Sequence, residues 1–236
     1  MRVTEKLKGL QEAADDFRYL LNRGYPRKAS LELVGNRYQL NYDQRHLLHR
    51  GVFSKTDSKL RRKKKTSLSE IRGKELVIDG YNVLITLEAA LSGRSLVSGD
   101  DGFIRDISGL SGNFKKSERT DQALQLIFDT LGRIKPRHTL FLFDAPISKS
   151  GKLAQEVRGR LRRETVPGDA RAVKVPEKIL IGFPGVVATS DTAIIDRSKK
   201  VLDLAGYVIA HKLCRLKPVT AHMIQWKRKR GLVGGK

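Results

Sequence analysis

The nine residues Leu76-Val77-Ile78-Asp79-Gly80-Tyr81-Asn82-Val83-Leu84 form an apolar run that halts on an aspartate, turns at a glycine and resumes as apolar chain. A short run with no alternation suits a strand buried on both faces, as in a parallel sheet. Its aspartate then falls at the carboxyl end, where open α/β sheets gather their ligands. The same device recurs in Leu140-Phe141-Leu142-Phe143-Asp144 and in Val186-Val187-Ala188-Thr189-Ser190-Asp191. Three strands are thus expected to carry three acids to one edge.

The spacing around these runs predicts an α/β domain, a parallel sheet flanked by helices, over residues 74–236. Strands are expected at 75–79, 138–143, 172–175, 186–189 and 207–210, and helices at 121–134, 149–164 and 191–205. Residues 93–120 are rich in Gly, Ser and Asp; within them 96–104 reads as a hairpin turning at Asp101-Gly102, and Asp100, Asp101 and Asp106 could swing toward the acidic edge. Upstream, helical periodicity covers 4–22, 27–34 and 42–50, the last capped by Asn41. This gives a small helical module, residues 1–53, with a weak likeness to a helix-turn-helix, in which Arg37, Arg45, His46, His49 and Arg50 could meet phosphates. Residues 54–73 read as a basic linker or surface arm, because Lys59-Leu60-Arg61-Arg62-Lys63-Lys64-Lys65 offers almost nothing to bury.

Charge names the partner. With 47 Lys and Arg against 25 Asp and Glu, the net charge is +22, an excess that serves no fold and suits a polyanion. Nucleic acid fits best, since no stretch approaches about 18 continuous apolar residues and the basic residues sit in blocks instead of along an apolar face. A lone cysteine, Cys214, rules out an intrachain disulfide framework and suits a reducing compartment, so a cytoplasmic protein is expected. Clustered carboxylates repel unless cations neutralise them, and hard divalent ions do so with oxygen ligands and water. Acids that hold a metal, within basic surroundings that hold a backbone, form the layout of a nuclease.

The segments Val77 to Val83, Phe143-Asp144-Ala145 and Val187 to Asp191 resemble the signature points of PIN-like nucleases, above all the NYN branch with its YacP-type and Regnase-type RNA endonucleases. The likeness spans roughly residues 74–211. The whole chain also resembles an archaeal family that pairs a helical N-terminal module with a PIN-like domain. The resemblance implies Mg2+ or Mn2+ as cofactor and RNA, in preference to DNA, as substrate. It places the first metal-binding acid at Asp79, supported by Asn82, and the last at Asp191, with Ser190 beside it to bind phosphate oxygen or orient the acid. The middle acid departs from the family pattern: Glu177 is the nearest match, with Asp169 or a loop aspartate as alternatives. Asp144 is a ligand or a neighbour of the ligands. Asp196 is a further metal candidate, although its position five residues beyond Asp191 is about 140 degrees away around a helix axis. Substrate would be held by Lys59, Arg61, Arg62, Lys63, Lys64 and Lys65, and by Lys152, Arg158 and Arg162 of the basic 149–164 helix.

Other chemistries are disfavoured. His211, Cys214 and His222 lack a fourth zinc ligand, and no phosphate loop or Gly-x-Ser-x-Gly occurs. Trp226 beside Lys227 to Arg230 could stack on a base or anchor the tail. Two readings follow: a metal-dependent RNA endonuclease, or a non-catalytic RNA-binding or ribosome-associated protein on a degenerate PIN-like domain. The sequence leaves a homodimer open.

Overall fold

A computed structural model describes residues 3–107, 114–213 and 223–225. Cys214, His222, Trp226 and the basic tail 227–230 lie outside them. The chain runs α1 (Val3–Asn22), α2 (Arg27–Arg37), α3 (Tyr42–Gly51), α4 (Lys55–Lys64), β1 (Glu75–Asp79), α5 (Gly80–Leu91), β2 (Leu96–Ser98), β3 (Ile104–Asp106), α6 (Glu118–Ile134), β4 (His138–Asp144), α7 (Ser150–Arg163), β5 (Gly168–Val173), α8 (Pro176–Gly182), β6 (Val186–Ala188), α9 (Thr192–Arg197), β7 (Val201–Leu202), α10 (Leu204–Val208) and β8 (Met223–Gln225).

Five strands form a parallel sheet in the order β5-β4-β1-β6-β7. The expected apolar run lies at its centre: Leu76, Val77 and Ile78 are wholly buried. Residues of α5, α6 and α7 cover one face with the main core, which includes Leu84, Leu87, Phe128 and Val157. Leu180 of α8 and Ile194 of α9 pack with Val77, Leu142 and Val187 on the other. The hairpin is formed by β2 and β3 as expected, turning through Gly102 at φ +80, and β8 extends it in parallel to β2.

The expected fifth strand at 207–210 is helical instead. Helix α9 stops at Arg197, the buried pair Val201-Leu202 supplies the edge strand, and the Asp203 side chain then accepts from the Gly206 N–H (2.9 Å) to start α10. An N-terminal cap inside what read as one long helix divides it.

Helices α1 to α3 pack around Phe17, Val34, Leu47 and Leu48, and Val97 of β2 enters the same core. The hairpin therefore belongs to the packing of the helical module as well as to the α/β domain. Several phosphate candidates of the module are occupied within it. Arg45 donates to the Leu40 carbonyl and to Asn36, and Arg50 pairs with Asp106. His49 is pushed down to about 4 by burial and by Arg27, His46 and Arg50, so it is neutral at physiological pH.

Residues 54–73 are no free arm. Ser54 caps α4, and the chain then joins the sheet edge, where the Thr66 N–H donates to the Val201 carbonyl. Helical periodicity divides the basic run. Arg61 is buried and grips both carboxylate oxygens of Asp196 (2.6 and 2.7 Å) while reaching Asp101. Lys64 donates to the Ile195 and Asp196 carbonyls, and Lys65 to Asp203. Arg62 donates to the Asp100 carbonyl, so four candidates of the run, Arg61, Arg62, Lys64 and Lys65, are engaged within the protein by carboxylates and carbonyls of the hairpin, of α9 and of Asp203.

At the hub lies Asp101, fully buried. Both its oxygens accept from Arg105 (2.9 and 2.8 Å), itself 2% exposed. Arg27, Arg61 and Arg105 stand 4.7, 4.5 and 5.1 Å from the ring centre of Phe53. Burial raises the Asp101 carboxyl, but Arg105 and Arg61 outweigh it and hold it below the usual range.

Removing one partner of a buried ion cluster leaves charge without compensation. Asp101→Ala is expected to lose about 3–5 kcal/mol in urea unfolding. Asp196→Ala, whose carboxylate is half-exposed, is expected to lose about 1 kcal/mol or less. Equal losses would show that Asp101 is not the hub.

Candidate active site

Sheet order sets the order of the acids. Asp79 ends the central strand, Asp144 ends β4 on one side, and Asp191 follows β6 on the other. The β1 to α5 turn is tight, and a Cβ on Gly80 would stand 2.8 Å from the Leu142 carbonyl oxygen and closer still to the Phe143 ring. Only glycine lets the helix start directly after the acid.

Asp79 is 8% exposed. Its Oδ2 accepts from the Thr189 hydroxyl (2.8 Å), whose oxygen in turn accepts from the Asp191 N–H (3.1 Å). Burial pushes the Asp79 carboxyl up to about 7, with Asp191 and Asp144 adding to the rise and Thr189 opposing it. Asp144 is half-buried and raised by burial and by Glu177. Asp191 is exposed, and its Oδ1 caps α9 by accepting from the Ala193 and Ile194 N–H groups (2.8 and 3.1 Å). The edge thus carries a row of acids, Asp191, Asp79, Asp144 and Glu177, in which Asp79 is raised further by Asp191 and Asp144, and Asp144 by Glu177.

This placement sorts the candidates. Asp79, Asp144 and Asp191 come together. Glu177 is exposed in the first turn of α8 and acts on Asp144, so it does not sit between Asp79 and Asp191 as a middle ligand would. Asp169 lies near the amino end of β5, bound to Arg171 (2.8 Å). The loop aspartates Asp100, Asp101 and Asp106 are buried in ion pairs with Arg18, Arg105 and Arg50. Asp196 is taken by Arg61, which removes it from the metal candidates. Asn82 and Ser190 serve each other: Asn82 Oδ1 accepts from the Ser190 N–H (2.8 Å) and hydroxyl (3.0 Å), which locks the turn after β6 to α5.

Among the described residues no three His, Cys, Asp or Glu side chains are gathered tightly enough to hold a metal ion. Magnesium, however, commonly takes only one or two carboxylates and completes its shell with water and substrate phosphate. Burial first, and then the neighbouring carboxylates, disfavour the charged form of Asp79, and a bound cation offsets both, so Asp79 and Asp191, with Asp144 adjoining, fit it as donors.

A groove of about 770 Å3, lined by Tyr81, Phe114, Lys115, Lys116, Lys149 and Lys152 among others, lies near the Asp144 end of the row, which Tyr81 adjoins. Lys116 is held by Glu156 and Asp121. Lys152 is exposed in the first turn of α7. Arg158 and Arg162 lie further along the same helix, roughly 9–15 Å from Lys152 at about 1.5 Å per residue, and point to the other end of the sheet. Tyr81 is buried and pushed up to about 12 by burial and by Asp144, so its hydroxyl stays protonated. Sequence reasoning missed Tyr81, Thr189 and Arg105, whose Nε donates to the Ser190 carbonyl (2.7 Å). The first two lay inside the quoted motifs, yet neutral hydroxyls carry no charge pattern to betray them.

A raised carboxyl makes stability depend on pH with a defined sign. The folded protein keeps the Asp79 proton to about pH 7, while the unfolded chain releases it near 3.8. Stability from this group is therefore lost as pH climbs between those values and is level above them. Asp79→Asn is expected to gain on wild type across that window in urea unfolding, and parallel curves would refute it.

Residues 68–207 match the family described as Domain of unknown function (DUF5616), and residues 9–64 match Protein of unknown function (DUF434). The two segments meet between α4 and β1. The chain is similar to "Uncharacterized protein MJ0935" of Methanocaldococcus jannaschii, 36% identical over 204 residues that cover 86% of this chain and 97% of the relative. No solved structure matches. With more than half its length in the first match, the chain belongs to the DUF5616 family, carrying a DUF434 segment ahead of that domain.

Proposed function

We propose that this protein is a metal-dependent endoribonuclease on a PIN-like domain of the NYN branch, cutting a structured RNA in processing or decay. The observation that carries the reading is the row Asp191, Asp79 and Asp144 at one sheet edge, where burial, with the neighbouring acids adding to it, lifts the Asp79 carboxyl to about 7, inside a chain of charge +22. Perturbed acids beside a groove are where catalysis is expected. Mg2+ or Mn2+ held by Asp79 and Asp191 would neutralise the charge that develops on the phosphodiester. Asp144, raised above the ordinary carboxylate range, is suited to take the proton that an attacking water sheds. The protonated Tyr81 hydroxyl can donate to a phosphate oxygen beside it. Lys149 and Lys152 hold the RNA backbone, and the Asn82 to Ser190 bonds with Thr189 keep the acids in place.

The absence of a third tight ligand among the described residues favours the second reading, an RNA-binding protein without catalysis. The two separate cleanly. Manganese-dependent cleavage of a structured RNA is expected to fall at least on the order of 100-fold in Asp79→Asn and in Asp191→Asn, since even outer-shell changes at metal sites cost roughly 10–100-fold. RNA binding by both variants should persist, and Asp196→Asn should cut as wild type does. Wild type that binds but cuts no RNA from a broad cellular pool leaves the non-catalytic reading.

A further inference from the structure

A second cavity, also about 770 Å3, lies between α1, α4 and the hairpin, remote in sequence from the acidic row. Its wall on α4 carries Lys55, Lys59 and Lys63, spaced four apart and so stacked on one face. None of their ammonium groups has a side-chain or carbonyl partner among the described residues, whereas Arg61 and Lys64, on the other face, are held by α9. Like charges at that spacing weaken a helix, which makes an unneutralised stripe costly without a counter-charge. The two acids on the wall are too few to balance three lysines and also serve Arg18. Asp15 and Asp100 are both bonded to Arg18 (2.8 Å each).

Two further groups point to the kind of anion. Tyr19 lines the cavity and is 57% exposed, with the Arg23 guanidinium 5.2 Å from its ring centre. Ser58, also on the wall, is 4% exposed, and its hydroxyl has no hydrogen-bond partner. An unsatisfied buried hydroxyl needs an explanation. An exposed aromatic ring beside a lysine stripe is the combination that takes a base by stacking and its phosphates by charge. The volume suits a small ligand.

We infer that this cavity is a nucleotide-binding site, in which Tyr19 stacks a nucleobase, Lys55, Lys59 and Lys63 hold its phosphates and Ser58 meets a polar group of the ligand. The nucleotide comes either free or as one unit of a single-stranded RNA. The site is separate from the acidic row and needs no cleavage there.

The test uses the full chain in EDTA, so that any failure is independent of metal chemistry at Asp79. Fluorescence anisotropy follows a labelled 12-nucleotide oligoadenylate, with unlabelled AMP and inorganic phosphate as competitors. Tyr19→Ser is expected to weaken binding about 10-fold, and Tyr19→Phe to retain it. Lys59→Gln with Lys63→Gln should lower the slope of log affinity against log salt by about 1.4, at roughly 0.7 per neutralised phosphate on a single strand. Competition by AMP but not by phosphate identifies a free nucleotide as sufficient; binding of the oligomer alone identifies a strand unit. Wild-type affinity and salt slope in Tyr19→Ser and in the double lysine variant overturn the site. All positions changed are exposed, and unchanged thermal midpoints establish that the variants fold.

Discussion

Asp101 accepts hydrogen bonds on both oxygens from Arg105, and Arg61 approaches it from α4 at 3.4 Å. Those contacts join three parts of the chain that no apolar core unites alone. Arg61 brings in α4 and, through Asp196, α9. Arg105 brings in the hairpin and reaches the Ser190 carbonyl at the end of β6. Phe53, after α3, lies beneath both guanidiniums and that of Arg27. Such a cluster adds little stability over an apolar replacement, but its geometry tolerates few alternatives. It ties α4 and the hairpin to the end of β6 and to α9. The crowding is visible in Arg27, pushed down to about 10 by burial and by the adjoining Arg61 and Arg105.

The acidic row depends on that arrangement. Asp79 is fixed by covalent neighbours, since Gly80 and the Leu142 carbonyl permit one path for the chain. Asp191 is not. Its position follows from Thr189, from the Ser190 turn locked by Asn82, and from Arg105 behind the Ser190 carbonyl. One acid stands on a strand and the other on a turn held by side chains, so the separation of the two is set by polar bonds that the hairpin helps to maintain. Arg105 also donates to the Arg50 carbonyl of α3 (3.4 Å), so one guanidinium bonds both the helical module and the turn that carries Asp191.

How far the sequence could reveal this varies with the interaction. Strands β1, β4 and β6 were legible because continuous apolar runs ending in Asp have few other uses, and the three acids they carry do converge. Their order was not legible, because it follows from crossovers and not from the runs. Strand β7 was hidden, since two residues make no periodic signal and Asp203 reads as one more polar residue until it is seen capping α10. Glu177 matched a motif position, yet in the short helix α8 Pro176 turns inward and Glu177 is exposed. The hub was the least legible feature. Asp101 lies in a Gly-rich stretch that reads as a surface turn, and its partner Arg61 is 40 residues away in a run that reads as solvated. Composition argues against burying charge, and only a distant counter-charge reverses that argument.

The net charge of +22 likewise overstates what is free to meet a polyanion. Arg18, Arg61, Arg105, Lys64 and Lys65 spend their charge or their donors inside the protein. The block at 59–65, which looks uniform in sequence, is divided by the helix into an inner face that fastens α4 and an outer face that leaves Lys59 and Lys63 exposed. Lys149 and Lys152 form a second exposed group beside the acids. Among the described residues, two exposed lysine groups thus line concave surfaces, a groove near Asp144 and a cavity in the helical module. A single RNA that touched both would be held at two points by charges whose relative placement is rigid. Its bond presented to Asp79 would then depend on the span between them as well as on local contacts.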